Sequence, residues 1–240
     1  MKRKGGLGFL PAVLSDRGHE TAEHRFLRSL NLSEATVYEI GAFQGILTLF
    51  FSGRAREVIA YEPNPSSYRR VLENLRLNGR SNVRVRNLAV GEAEGSITLA
   101  CDELMPGGAS ADPALARQIR GSSPEATSLT VRAVALDQDI VANRFPPPDF
   151  VKIDIEGMEL PALRGMREVL SQYRPALYLE MHGATIEHKN QNVRAIVDFL
   201  SEVGYQHIVH IESSEQVCRE NATRAREGHL YCTAAAPEAA

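Results

Sequence analysis

Four carboxylates in this 240-residue chain stand at or just beyond the ends of short apolar runs. Glu39 follows Val37-Tyr38, Glu62 follows Val58-Ile59-Ala60-Tyr61, Asp154 follows Phe150-Val151-Lys152-Ile153, and Glu180 follows Leu177-Tyr178-Leu179. An ionised carboxylate accepts hydrogen bonds from hydroxyls, balances a cation and takes up a proton. Glu156 and His182 stand two positions beyond Asp154 and Glu180. Imidazole titrates near neutral pH, and acids crowded together raise one another's pKa. Asp154, Glu156, Glu180 and His182 are therefore the candidate catalytic group, with His182 or Asp154 as the base.

The elements that must position these residues follow from the spacing. Residues 37–40, 58–61, 83–90, 150–153 and 176–181 read as buried strands. Residues 45–52, 65–77, 159–172 and 192–203 read as helices, and Pro65 sits in a first turn where its missing N–H is harmless. Strand and helix alternating at this pitch means parallel pairing through right-handed crossovers. The expected fold is α/β, a Rossmann-like doubly wound, seven-stranded and mostly parallel sheet with helices on both faces. Residues 95–100 and 129–135 read as further strands, the first in an edge hairpin, and 206–211 and 229–233 as the closing pair. Residues 102–128, rich in Gly, Ala, Ser and Pro, read as a long substrate loop. A helix at about 19–30 precedes the first strand, and residues 1–18, with Gly5, Gly6, Gly8 and Pro11, read as a flexible segment before a single domain at 19–240.

In such a sheet ligands bind beyond the carboxyl ends of the strands. Gly41-Ala42-Phe43-Gln44-Gly45 forms the first strand-to-helix turn, and Glu62 lies 21 positions after Gly41, where an acid accepts from both hydroxyls of a ribose. A dinucleotide site would want glycine at position 43, which is Phe. Glu39 before the turn would repel a phosphate and suit an ammonium or sulfonium. S-adenosylmethionine carries both, has a ribose and lacks phosphate. The cofactor-binding residues read this way are Glu39, Gly41, Ala42, Phe43, Gly45, Glu62, Pro63, Asn87, Leu88, Ala89 and Asp154. The alternative for each piece is plain structure: glycines for helix packing, Glu62 as a helix cap, Asn87 as a turn residue, Glu156 and Glu159 as acids at a helix start.

Residues 37–45 with Tyr61-Glu62-Pro63-Asn64-Pro65 resemble the first two motifs of the class I S-adenosylmethionine methyltransferases. Val151-Lys152-Ile153-Asp154-Ile155-Glu156-Gly157-Met158-Glu159, with Leu163 and Gly165, resembles the signature of the FkbM-type members. Asn87-Leu88-Ala89-Val90-Gly91, Ala135-Leu136-Asp137 and Leu179-Glu180-Met181-His182 fit the same family, so the resemblance covers about residues 20–211. It implies methyl transfer to oxygen on a sugar or polyketide-like small molecule. Two departures are Glu39, where Asp is commoner, and Phe43, in place of a smaller polar residue. The stretch 102–128 has no match and is where substrate choice is expected.

Composition excludes several other classes. The chain is 43% hydrophobic and 24% charged with net charge -3, which suits one packed core and no bulk basic surface for nucleic acid. No apolar run approaches the roughly 18 residues of a membrane span. Cys101, Cys218 and Cys232 form no CxxC pair and read as free thiols of a cytoplasmic protein. Asp154, Glu180 and His182 have the side chains of a divalent-metal site, but their spacing matches no tight ligand motif, and no metal is expected. A nucleotide-dependent oxidoreductase and an inactive binding module on the same fold are the rival readings; self-association is left open. His188 and Lys189 are further candidates for the border of an acceptor pocket.

Overall fold

A computed structural model describes residues 21–102 and 109–234. The expected flexible segment at 1–18 and the first residues of the expected helix at 19–30 lie outside the described residues. Helix α1 (Ala22–Ser29) follows, capped by the Thr21 side chain.

The main sheet runs in the order β10-β9-β11-β8-β7-β1-β2-β3. Its parallel part consists of β1 (Thr36–Ile40), β2 (Glu57–Tyr61), β3 (Val83–Arg86), β7 (Phe150–Ile153) and β8 (Ala176–Glu180). Antiparallel β11 (His229–Thr233) and β9 (His207–His210) close it. The seven expected strands are joined at the edge by an eighth of two residues, β10 (Glu215–Gln216).

Side chains alternate across the strands. Tyr38, Ile40, Ile59, Tyr61, Val151, Ile153, Leu177 and Leu179 face one core cluster, shared with Leu136, Met166, Leu170, Val193 and Ile196. Val37, Val58, Phe150 and Tyr178 face the other, against Leu27 and Phe51. Burial on both faces makes these strands near-continuous apolar runs, which is why they stand out in the sequence. Helices α2 (Ile46–Ser52) and α3 (Pro65–Leu77) follow β1 and β2. Helices α6 (Glu159–Arg164), α7 (Arg167–Tyr173) and α8 (Ile186–Glu202) follow β7 and β8.

Three expectations are corrected. The strand read at 83–90 breaks after Arg86: Asn87 turns the chain, and β4 (Ala89–Val90) joins a separate sheet of order β4-β6-β5 with β5 (Gly95–Asp102) and β6 (Ala126–Val134). The helix read at 159–172 is two helices, broken at Gly165-Met166. The stretch 102–128 is not a loop throughout. Residues 103–108 lie outside the described residues, but α4 (Pro113–Ser122) is a full helix with Pro113 in its first turn. The Asp112 side chain accepts from the Ala114 and Leu115 N–H groups and caps it. Helix α5 (Leu136–Asn143) is one the spacing does not anticipate at all.

Candidate active site

The cleft opens beyond the carboxyl ends of β1, β2 and β7. Its floor is the turn after β1. Gly41 has φ +89°, and a Cβ there would lie 1.9 Å from the Asp154 carbonyl oxygen, so only glycine lets the β1 and β7 exits touch. Phe43, also at positive φ, donates its N–H to Glu62 Oε2 at 2.7 Å, and Asn64 N–H donates to Oε1 at 2.8 Å. Glu62 is thus fixed at the rim of the cleft with one acceptor position used on each oxygen and one left. Burial pushes its carboxyl up to about 7, against the pull of the Asn64 and Phe43 N–H groups. Asn87 Nδ2 donates to the Glu62 and Pro63 carbonyls, at 2.8 and 3.0 Å, and pins the chain leaving β2.

The walls differ in chemistry. On one side Leu88, Ala89, Val90, Ile97, Leu99 and Ala109 make an apolar slot, largely contributed by the small sheet. On the other, Asp154, Glu156 and Glu180 bring carboxylates. Of the residues named for cofactor binding, Gly41, Phe43, Glu62, Pro63, Leu88, Ala89 and Asp154 line the cleft. Glu39, Ala42, Gly45 and Asn87 do not. Gly45 begins α2 against Val71 of α3, the packing role. Ala42 is buried in the core beneath the turn. Ile97 and Leu99 are not named from sequence, although alternation along β5 puts them on one face.

Glu39 lies under the turn rather than in the cleft. It is 1% exposed, accepts from Thr48 Oγ at 2.5 Å, and sits directly across the β1–β7 register from Lys152. Burial raises its carboxyl to about 7, with Lys152 pulling the other way. Lys152 is the residue that sequence reasoning missed. It is 3% exposed, and its Nζ donates to the Gly41 carbonyl at 2.9 Å and to Asp154 Oδ2 at 3.0 Å. Burial would lower its pKa, but Asp154 and Glu39 carry it above its ordinary value. Burial would raise Asp154, but Lys152 and then His182 hold it below the usual carboxylate range. The signal was present: a lysine between apolar neighbours in a strand covered on both faces needs a buried partner.

The four expected catalytic residues converge. His182 Nδ1 lies 3.0 Å from Oε1 of Glu159, itself 1% exposed. Its Nε2 lies 3.8 Å from Asp154 Oδ1, 3.6 Å from Glu156 Oε2 and 3.6 Å from Glu180 Oε1. Burial disfavours the imidazolium, but the Glu159 hydrogen bond and the charges of Glu159, Glu156 and Asp154 raise His182 to about 9. Burial takes Glu156 to about 7. Ligand atoms of Asp154, Glu180 and His182 lie within 4.8 Å of one another, so the structure brings together the metal-type side chains that the spacing alone did not.

Helix α4 roofs the acidic side. A Cβ on Gly157, at φ +93°, would fall 2.7 Å from Leu115 and 3.0 Å from Asp112, so the helix seats on that glycine. Ser110 Oγ donates to the Glu156 carbonyl. His188 Nε2 stands 3.5 Å from Asp112 Oδ2 and joins α8 to this roof, whereas Lys189 pairs with Glu227 at 2.9 Å. All three cysteines are free. Among the described residues no helix is long and apolar enough to cross a membrane.

A family model described as the methyltransferase FkbM domain matches residues 39–207. Over 134 residues the chain is 28% identical to the hexuronic acid methyltransferase AglP of Haloferax volcanii, an alignment covering 56% of this chain and 51% of that protein. The crystal structure of the methyltransferase FkbM from Methylobacillus flagellatus KT superposes with a TM-score of 0.57 at 18% identity, over 89% of this chain and 48% of that one. The chain therefore spans about half the length of these relatives, and the structural likeness establishes the class I methyltransferase fold.

Proposed function

The chain belongs to the FkbM methyltransferase family, and on that premise we propose that it transfers a methyl group from S-adenosylmethionine to a hydroxyl oxygen of a small molecule, a sugar or a polyketide-like natural product. The observation that carries this reading is the cleft itself: a rim carboxylate, Glu62, tied down by the Phe43 and Asn64 N–H groups, between an apolar slot and a wall of acids. That donor set suits the cofactor. Glu62 keeps two acceptor positions for ribose hydroxyls. Leu88, Val90, Ile97 and Leu99 offer flat apolar contact for a purine. Asp154 and Glu180 supply negative charge toward a cationic centre, and among the described residues the lining holds no lysine or arginine for a phosphate. When bound, the cofactor supplies an electrophilic methyl carbon on a sulfonium.

The chain's own part is alignment and proton removal. Aligning the acceptor oxygen with the methyl carbon is the larger contribution. Asp154, Glu156, Glu180 and His182 surround the acceptor hydroxyl, and its proton passes to a carboxylate oxygen, because His182, raised to about 9, already carries both of its protons near neutral pH. The name of the Haloferax relative supports a sugar acceptor.

Calorimetric titration with S-adenosylmethionine should detect binding, and Glu62→Ala should weaken it at least tenfold; unchanged affinity would refute the assigned role. His182→Asn and Asp154→Asn should retain binding yet lose about 10²–10⁴ in turnover of labelled methyl groups into hydroxylated sugars. Full turnover in both variants would put the base elsewhere.

A further inference from the structure

We propose that Asp154, Glu180 and His182 form a divalent-cation site on the acceptor side of the cleft. Their ligand atoms lie within 4.8 Å of one another. Two ligands trans across one ion stand about 4.2 Å apart for bonds of about 2.1 Å and about 4.8 Å for bonds of about 2.4 Å. The three donors therefore lie within the span of one ion with the longer bonds, and side-chain shifts would close them onto a smaller one.

The setting of His182 points to a guest between these groups. His182 Nε2 faces carboxylate oxygens of Asp154, Glu156 and Glu180 at 3.6–3.8 Å, each too long for a hydrogen bond. The ring is held in this pose through Nδ1 by the buried Glu159. That is the outer-shell arrangement that orients a metal-binding histidine. Lys152 likewise holds the far oxygen of Asp154, leaving Oδ1 toward the cluster. His229 also stands beside these acids, its Nε2 3.7 Å from Glu180 Oε2.

Two carboxylates and one imidazole suit a divalent ion, and Mn²⁺, which shares the carboxylate preference of Mg²⁺, is the probe whose binding can be followed directly. A catalytic part for the ion rests on the methyl-transfer reading. Its open positions would then take the acceptor's hydroxyl and a neighbouring oxygen, orient them, and lower the hydroxyl pKa. Cation binding itself does not depend on that reading.

Mn²⁺ titration of the purified full chain, followed by the loss of the free-ion electron paramagnetic resonance signal, tests the site. One bound ion is expected. Glu180→Gln and His182→Asn should each weaken it at least tenfold, whereas Glu220→Gln, at an exposed acid outside the cluster, should not. Glu159→Gln keeps all three ligands and should still weaken binding by about ten- to hundredfold. No Mn²⁺ binding at millimolar concentration, or binding that survives both ligand substitutions, overturns the proposal. S-adenosylmethionine binding, measured in parallel, would in that case still stand or fall on its own.

Discussion

The residue on which the site most depends touches the cleft only through its neighbours. Lys152 is a lone ammonium buried between Glu39 across the strand register and Asp154 two positions on. It also takes up the Gly41 carbonyl, so one side chain ties the β1 exit to the β7 exit. Removing one member of a buried ionic group leaves its partners charged and unpaired, at a cost of about 3–5 kcal/mol. Lys152→Met should cost that much in urea unfolding. Adding Glu39→Gln should return part of it, because contacting residues in one ionic network are not additive. A loss below about 1 kcal/mol would mean that the acids are protonated in the native state and need no counter-charge. The acids and His182 were legible in the sequence because strand ends are punctuated by glycine and proline. Lys152 and Glu159 were not: one looked like an incidental strand residue, the other like a helix-start acid. Glu159 does meet a backbone donor there, the Gly157 N–H, but through the same oxygen it also orients His182.

At the scale of elements, the chain supplies from a distance what its local sequence lacks. Helix α7 has no side-chain cap of its own. Asp137, at the start of α5, accepts from the Glu168 N–H at 3.0 Å and the Val169 N–H at 2.9 Å, capping α7 from another helix. The break at Gly165-Met166 that creates this second helix start also frees the Gly165 carbonyl, which accepts the Asp137 N–H in return. Losing a cap of this kind costs about 1 kcal/mol, so Asp137→Ala should lower the melting temperature by about 2–4 °C in a domain of this size. Asp137→Asn, with one acceptor oxygen for two N–H groups, should recover only part of it. If both variants melt with the parent, the cap is not contributing. The same kind of non-local support explains which elements could be read in advance. The parallel strands announced themselves as apolar runs covered on both faces, and α3 by Pro65. Helix α4 was hidden by the Gly- and Ser-rich residues around it, although Asp112-Pro113 is a legible start signal. The departure of β4 from the main sheet has no mark in the alternation at all. It rests on the side chain of Asn87 bonding to the carbonyls that leave β2.

Across the whole molecule, the sheet collects charge at one edge and pays for it in stability. Glu39 and Glu62 are raised by burial from 4.5 to about 7. The folded chain therefore keeps protons there that the unfolded chain releases above about pH 4.5. Where the native state binds more protons than the unfolded state, stability falls as pH rises. These two acids thus weaken the ligand-free fold progressively from about pH 4.5 to 7. His229, raised to about 9 by Glu180 and Glu212 despite its burial, acts in the same direction at higher pH. Its contribution is complete below pH 6.5 and lost as the pH passes 9. A cofactor whose hydroxyls donate to Glu62 and whose positive centre lies near this edge favours the ionised acids. Binding should then release protons near neutrality. Calorimetric titration with S-adenosylmethionine at pH 6.5, in two buffers of different ionisation enthalpy, should report a net release that shrinks in Glu62→Gln. Thermal melts should show the ligand-free midpoint falling between pH 5 and 8, with the increment from added cofactor growing over the same range. Equal heats in both buffers, together with a flat melting profile, would mean that these carboxyls are already ionised in the free protein, and that the acidic edge is stabilised by something other than its ligand.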